Sequence, residues 1–319
     1  MENGRRYHGY KSEFPFPDDQ RTTASLVWPD LTAEKPFVAP LDLPLKKNTK
    51  ILDVAARGGA WIYSLLDSDD GTYAKARVTG LEPAWMVGDA GPSWLLHRDL
   101  EGPWPFTAKE AFHLIHGEAL GGLLKDWDGF YANVFKHLVR GGWVEIREHD
   151  LKFFPREGKE KDMEGKWDAT KQWSELMDDA ARKFGKRINM GAEQKELMEK
   201  AGLVDVQEQV FKVGELGLLS FNIKDVPSSK CSVLTKYHQV PTREWKDDPT
   251  TKHGKYAHRH WILNIEGYSL RLFTKTLGWS KEDTDDLMKR VLQELDQEDL
   301  QLYSMFYLVI GRKPTNAAR

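Results

Sequence analysis

The sequence predicts an α/β fold with a doubly wound, mostly parallel sheet, and three observations predict it. Apolar strand-like runs alternate with helical stretches from residue 50 to about 150. The first of them, "ILDVAARGGAW" at residues 51–61, is an apolar run that reaches an acid, passes two glycines and enters a helix-like start, the form of a nucleotide-binding first turn. The chain closes on an aromatic and apolar run, "QLYSMFYLVIGRKP", expected to form an antiparallel pair at the end of the sheet. Strands separated by helices imply parallel pairing with helices on both faces.

The elements follow in order. Residues 1–45 are rich in proline, charge and aromatics, with one short helical stretch expected near 20–30, and read as an N-terminal arm. Residues 46–319 read as the main domain, with helical or lid insertions around 151–200 and 221–290. "TKILDVAA" is the first strand and "GAWIYSLLDS" its helix; "KARVTGLEP", "PSWLLHRDL" and "AFHLIHGEAL" carry strands two to four. "DWDGFYANVFKHLV" is an amphipathic helix, and the glycine pair in "RGGWVEIREHD" is expected to end it before a fifth strand. "KWDATKQWSELMDDAARKFG" and "GAEQKELMEKAG" are helices stopped by glycine, followed by the strand "LVDVQEQVFKV". Residues 221–260 are polar and irregular. "WILNIEGYSLRLFTKTLG" and "SKEDTDDLMKRVLQELDQ" are further helices, with Ser280 as an N-cap and acids in the turn after it.

Composition narrows the function classes. With 46 basic and 49 acidic side chains the net charge is −3, so no global basic footprint for nucleic acid exists. No run approaches the roughly 18 apolar residues that span a bilayer, and "MENGRRYHGYKSEF" lacks the apolar core of a secretory signal. The single cysteine, Cys231, excludes an intrachain disulfide framework and fits a reducing compartment. The cytoplasm is the expected location, with the nucleus compatible. Twelve tryptophans suit either a large aromatic core or the lining of an organic-ligand pocket.

The chemistry concentrates at the carboxyl ends of the strands, where ligands gather in such sheets. The glycine turn after Asp53 lets backbone approach a ligand, and Glu82, about 29 residues on, is placed to hold ribose hydroxyls. Asp99 follows the third strand in "LLHRDLEGPW". Together with "NGRRYHGY", "FHLIHGEALGGLLKDW", "EKAGLVDV" and "FYLVIGRKP", in collinear order, these segments resemble the fungal class I methyltransferases of secondary metabolism, the LaeA-like group. The resemblance implies a Rossmann-like, seven-stranded class I methyltransferase fold with an added N-terminal arm and helical lid, and S-adenosylmethionine as cofactor. It implies that Asp53, Gly58 and Gly59 face the methionine part, Glu82 the ribose, and Asp99 with Leu100 the adenine. It also implies that Tyr7 and His8 close over the pocket.

The chain departs from that group in the first turn. Where relatives read Asp-x-Gly-x-Gly-x-Gly, it carries Ala55, Arg57 and Gly59. A Cβ at residue 55 and a cation at residue 57 would weaken or abolish the grip on a sulfonium nucleotide. "HGE" at 116–118 stands where relatives read "HAR", so Arg57 and Glu118 are expected to pair across the mouth of the site, with independent surface changes as the alternative. His116 and His149, at the ends of the fourth and fifth strands, are candidate general bases, and Arg57 a candidate catalytic cation. Glu148 and His149 are neighbours on one strand and must face opposite sides. His253, His258 and His260 match no zinc spacing, so no metal is expected and surface or lid positions are. The expected partner is a small molecule, polyketide-like or peptide-like, with no nucleic acid and no membrane; a homodimer is compatible. Three functions stay open: methyl transfer, a repurposed fold that guides a cyclisation, isomerisation or pericyclic step, and a non-catalytic regulatory subunit of a nuclear complex.

Overall fold

The computed structural model describes residues 3–5, 7, 15–17, 36–56, 59–67, 71–82, 93–211, 240–241 and 254–315. In chain order come β1 (Lys50–Val54), α1 (Ala60–Leu66), β2 (Arg77–Glu82), β3 (Leu95–His97), β4 (Phe112–Glu118), α2 (Trp127–His137) and β5 (Leu138–His149). Then follow β6 (Phe154–Pro155), α3 (Glu160–Met163), α4 (Asp168–Phe184), α5 (Gln194–Lys200), β7 (Val204–Phe211) and β8 (Val240–Pro241). The remaining elements are α6 (Gly254–Arg271), which runs into a π-helical turn at Leu272–Thr276, then α7 (Lys281–Leu295), β9 (Leu302–Ser304) and β10 (Phe306–Arg312).

The main sheet has seven strands in the order β3-β2-β1-β4-β5-β10-β7. Strands β3, β2, β1, β4 and β5 pair in parallel, while β10 is antiparallel to both of its neighbours. The late strand therefore forms the expected antiparallel pair with β7 at the end of the sheet, and within that pair it takes the inner place, between β5 and β7. Its composition explains this. Phe306 to Gly311 are all buried, and a strand with apolar side chains on both faces needs neighbours on both edges and cover on both sides. A second, three-stranded antiparallel sheet has the order β6-β9-β8.

The glycine pair 141–142 also differs from expectation. Helix α2 stops at His137 and β5 begins at once, so the glycines lie within the strand rather than in a helix-ending loop. The β4–β5 register jumps from Phe112↔Leu138 to Leu114↔Trp143, leaving an irregular stretch in β5. Gly141 takes φ 77 there, and a Cβ on Gly142 would stand 2.9 Å from the Phe112 carbonyl oxygen. Both positions need glycine for the bulge, not for a cap.

Apolar stripes on the helices close the core. Phe130, Tyr131 and Val134 of α2, Trp173 and Met177 of α4, Trp261 and Ile265 of α6, and Leu287 and Val291 of α7 are fully buried. Helix α7 packs on both α4 and α6. Ser280 caps α7 by accepting the Asp283 amide at 3.0 Å, and Asp126 caps α2 through the Gly129 amide at 2.9 Å; each such cap is worth about 1 kcal/mol.

Candidate functional site

Parallel register places three polar side chains in one row. Asp53 on β1 is opposite His116 on β4, and His116 is opposite Glu145 on β5. They share one face of the sheet and are 3%, 0% and 0% exposed, so each has to find its partner inside the protein. Asp53 Oδ1 lies 2.8 Å from His116 Nδ1. Burial first, and the Arg147 charge second, hold His116 well below the ordinary imidazole value, so the ring is neutral. A neutral imidazole facing a carboxylate donates from Nδ1, and its Nε2 then carries the lone pair. That Nε2 is buried and meets no hydrogen-bond partner among the described residues.

A lid of aromatic and backbone groups lies over this row. The Trp61 indole, in the first turn of α1, stacks on the His116 ring at 3.9 Å with 6° between planes. Its Nε1 donates to the Pro36 carbonyl at 2.6 Å. Arg147 donates from Nη2 to the same carbonyl at 2.8 Å, and from Nε and Nη2 to Glu145 Oε1 at 3.0 and 2.8 Å. The other Glu145 oxygen accepts the Val38 and Ala39 amides at 2.8 and 2.9 Å. Residues 36–39 are thus strapped over the sheet by one buried ion pair. Sequence reading missed Glu145 and Arg147, although opposite charges two apart, on one face of the strand "WVEIREH", were the available signal.

In the first turn the left-handed conformation falls on Ala55, at φ 60, where a Cβ is disfavoured. The Ala55 amide donates to the Leu81 carbonyl at 2.7 Å, folding the turn toward β2. Gly59, at φ 88, precedes α1, and a Cβ there would stand 2.2 Å from the Trp94 ring. The glycine that the turn retains therefore admits an aromatic side chain of the protein itself. Arg57 and Gly58, and with Arg57 the expected pairing to Glu118, lie outside the described residues.

Glu82 ends β2 fully buried. Leu100 is buried and its carbonyl accepts Trp104 Nε1 at 3.0 Å. Asp99 is exposed and accepts the Glu101 amide at 3.0 Å, so one of its oxygens is engaged in its own turn. Tyr7 lies beneath the Arg271 guanidinium, 4.7 Å from ring centre to charge, at the end of α6. Asn3 reaches Thr274 at 3.0 Å and Arg5 reaches Glu266 at 3.5 Å, so this part of the arm is fastened to the helical lid. His8 lies outside the described residues.

His149 and Glu148 face opposite sides of β5. Glu148 accepts the Leu120 amide at 2.6 Å and the Gly121 amide at 3.3 Å. His149, half-buried, packs edge-on against His260 at 5.6 Å and 88°. Of the surface and lid positions expected for it, His260 takes an inner one on α6, 6% exposed and facing β5. The helical period explains the burial: His260, Asn264 and Tyr268 recur at four-residue steps on the inner side of α6. Tyr268 Oη lies 3.2 Å from His260 Nε2, and the Asn264 amide donates to the His260 carbonyl at 2.7 Å. His258 turns to α7 instead, 3.5 Å from Asp296. His253 and Cys231 lie outside the described residues, among which no group of three or more His, Cys, Asp or Glu is arranged to hold a metal.

A parallel sheet in the order 3-2-1-4-5, followed by an inverted strand between β5 and β7, with its buried acids and histidine at the carboxyl ends, defines a class I methyltransferase fold. No family model matches the chain. The sequence is 24% identical over 324 residues to methyltransferase pytC of Aspergillus terreus, covering 98% of this chain and 87% of that protein. It is 23% identical over 327 residues to the secondary metabolism regulator LAE1 of Cochliobolus heterostrophus, covering 98% and 94%. Among solved structures, phosphoethanolamine N-methyltransferase 2 of Haemonchus contortus is similar with a TM-score of 0.41 and 13% identity, over 85% of this chain and 50% of that one. Over nearly its whole length the chain is similar to fungal methyltransferases and regulators of secondary metabolism, the LaeA-like group.

Proposed function

We propose that the protein transfers a methyl group from S-adenosylmethionine to a small-molecule intermediate of fungal secondary metabolism, polyketide-like or peptide-like. One observation carries the reading. The Asp53–His116 pair stands where the strand order reverses between β1 and β4, the switch point at which such sheets bind ligands, with buried Glu82 one strand away. The residues fit a sulfonium nucleoside. Glu82 offers an acceptor for vicinal hydroxyls, Leu100 an apolar contact, and the Asp53 end a negative charge. When bound, S-adenosylmethionine would supply an electrophilic methyl group. The protein's share is then to hold the acceptor in line, exclude water and take a proton through a histidine at the end of β4 or β5. Calorimetry with S-adenosylmethionine and S-adenosylhomocysteine tests the reading. Micromolar binding is expected, and no binding by a folded sample overturns it.

Ala55 favours a second reading. Its Cβ occupies a left-handed turn position where the family carries glycine, which suits a fold turned to cyclisation or isomerisation without methyl transfer. Restoring glycine at residues 55 and 57 separates the two. Cofactor binding that appears only in the restored protein supports the second.

A further inference from the structure

Resting on the methyltransferase reading, we propose that Asp53 and His116 form the proton-accepting pair of this site, and that its acceptor presents an acidic hydroxyl, a phenol or an enol, to His116 Nε2. Geometry carries the first half. Asp53 fixes the Nδ1–H tautomer from 2.8 Å, and the flat Trp61 stack fixes the plane of the ring. Trp61 cannot swing aside while its Nε1 holds the Pro36 carbonyl. The atom these contacts leave over, Nε2, is buried with no partner among the described residues. An acceptor-only atom in that state calls for a donor group, and the donor belongs to a ligand.

The surroundings of the ring set the class of donor. Among the described residues, the charged groups that face it are Asp53 from β1 and the Glu145–Arg147 pair from β5; Trp61 and Pro36 bring none. In the step, the acceptor's O–H bond breaks, its electron pair stays on oxygen, and the proton bonds to Nε2. The resulting imidazolium is favoured by Asp53 and opposed by burial and by Arg147. Such a base is weak, and takes a proton readily only from an acid close to it in strength. Enols of 1,3-dicarbonyl groups and phenols acidified by a ring carbonyl come nearest to that condition, and aliphatic alcohols stand farthest from it. In this step Asp53 and Trp61 act on the proton only through the His116 ring; toward the acceptor both are positioning residues.

The test uses the full chain with ¹⁵N-labelled histidine. The His116 signals are identified by their loss in His116→Asn, whose amide can still donate to Asp53. A bare Nε2 and a protonated Nδ1 are expected from about pH 8 to about pH 6. With S-adenosylhomocysteine present, 2,4,6-trihydroxyacetophenone as phenol probe should shift the Nε2 signal, and cyclohexanol should not. His116→Asn should bind the phenol at least about tenfold more weakly and keep its S-adenosylhomocysteine affinity within about threefold. Asp53→Asn, the second variant, should raise the fraction of Nε2–H tautomer. A protonated Nε2 in the wild-type chain, or an Nε2 indifferent to the phenol, overturns the proposal. Failure of S-adenosylhomocysteine to bind removes the methyltransferase reading instead, and the tautomer and phenol results still judge the pair.

Discussion

Glu145 and Glu148 lie three residues apart on β5, are 0% and 1% exposed, and face opposite sides of the sheet. Each anchors a chain segment by accepting two consecutive backbone amides, Val38 and Ala39 for Glu145, Leu120 and Gly121 for Glu148. The difference lies in how the oxygens are used: Glu148 takes one amide on each, Glu145 takes both on one. Glu145 shares its second oxygen with the Arg147 guanidinium. On the other face, burial and then the Glu148 charge push the Tyr131 hydroxyl well above the phenol range. One residue type does the same mechanical work on both faces, but on the arm side the anchor is half of an ion pair. Removing it there strands a cation as well as two amides.

Glu145→Ala should break the comparison most severely, with a loss of about 3–5 kcal/mol in chemical denaturation. Glu148→Ala, which leaves the Leu120 and Gly121 amides unmet, should lose less, about 2 kcal/mol. Equal losses would show that the ion pair adds nothing to the anchor.

A third carboxyl group sharpens the contrast. Asp150, just beyond β5 and 7% exposed, accepts the Tyr307 hydroxyl at 3.3 Å, and its Oδ1 has no partner among the described residues. Burial, first among the causes, lifts it from 3.8 to about 6. Below about pH 4 both the folded and unfolded chains hold this proton. Between about pH 4 and pH 6 only the folded chain does, so its contribution to stability falls as pH rises and is gone above about pH 6. Asp150→Asn should therefore gain up to about 3 kcal/mol at pH 8 and little at pH 4. Urea denaturation of the two proteins at both pH values reads this directly. Ala55→Gly should show the smallest effect. Relief of the left-handed strain, offset by glycine's entropy, leaves a gain of about 0.5–1 kcal/mol in the thermal midpoint's free energy.

Local signals made much of the fold legible. Strands β1, β2 and β4 announce themselves as apolar runs before acids or glycines, and Ser280 marks the start of α7 by its hydroxyl and the acids that follow. The place of β10 was not legible, because strand order depends on partners far away in sequence, and only its two-sided apolar character hints at an interior position. The π-helical turn after Arg271 has no local signature in "LRLFTKT". In the site, Asp53 and His116 were each visible as strand-end residues, but their contact depends on the β1–β4 register. Trp61 was hidden because its role depends on a single carbonyl in the arm. Which of its two expected positions His260 takes, surface or lid, shows only once its helical phase is drawn.

The strap over residues 36–39 has a consequence for how the protein is made. Its amides wait for a carboxylate 107 positions further along the chain, measured from Val38, and contacts of such span form late in folding. During synthesis the arm leaves the ribosome long before Glu145 and Arg147 do. The roof above His116 can therefore be latched only once the fifth strand has emerged. A nascent chain halted upstream of that strand would carry the arm with no berth.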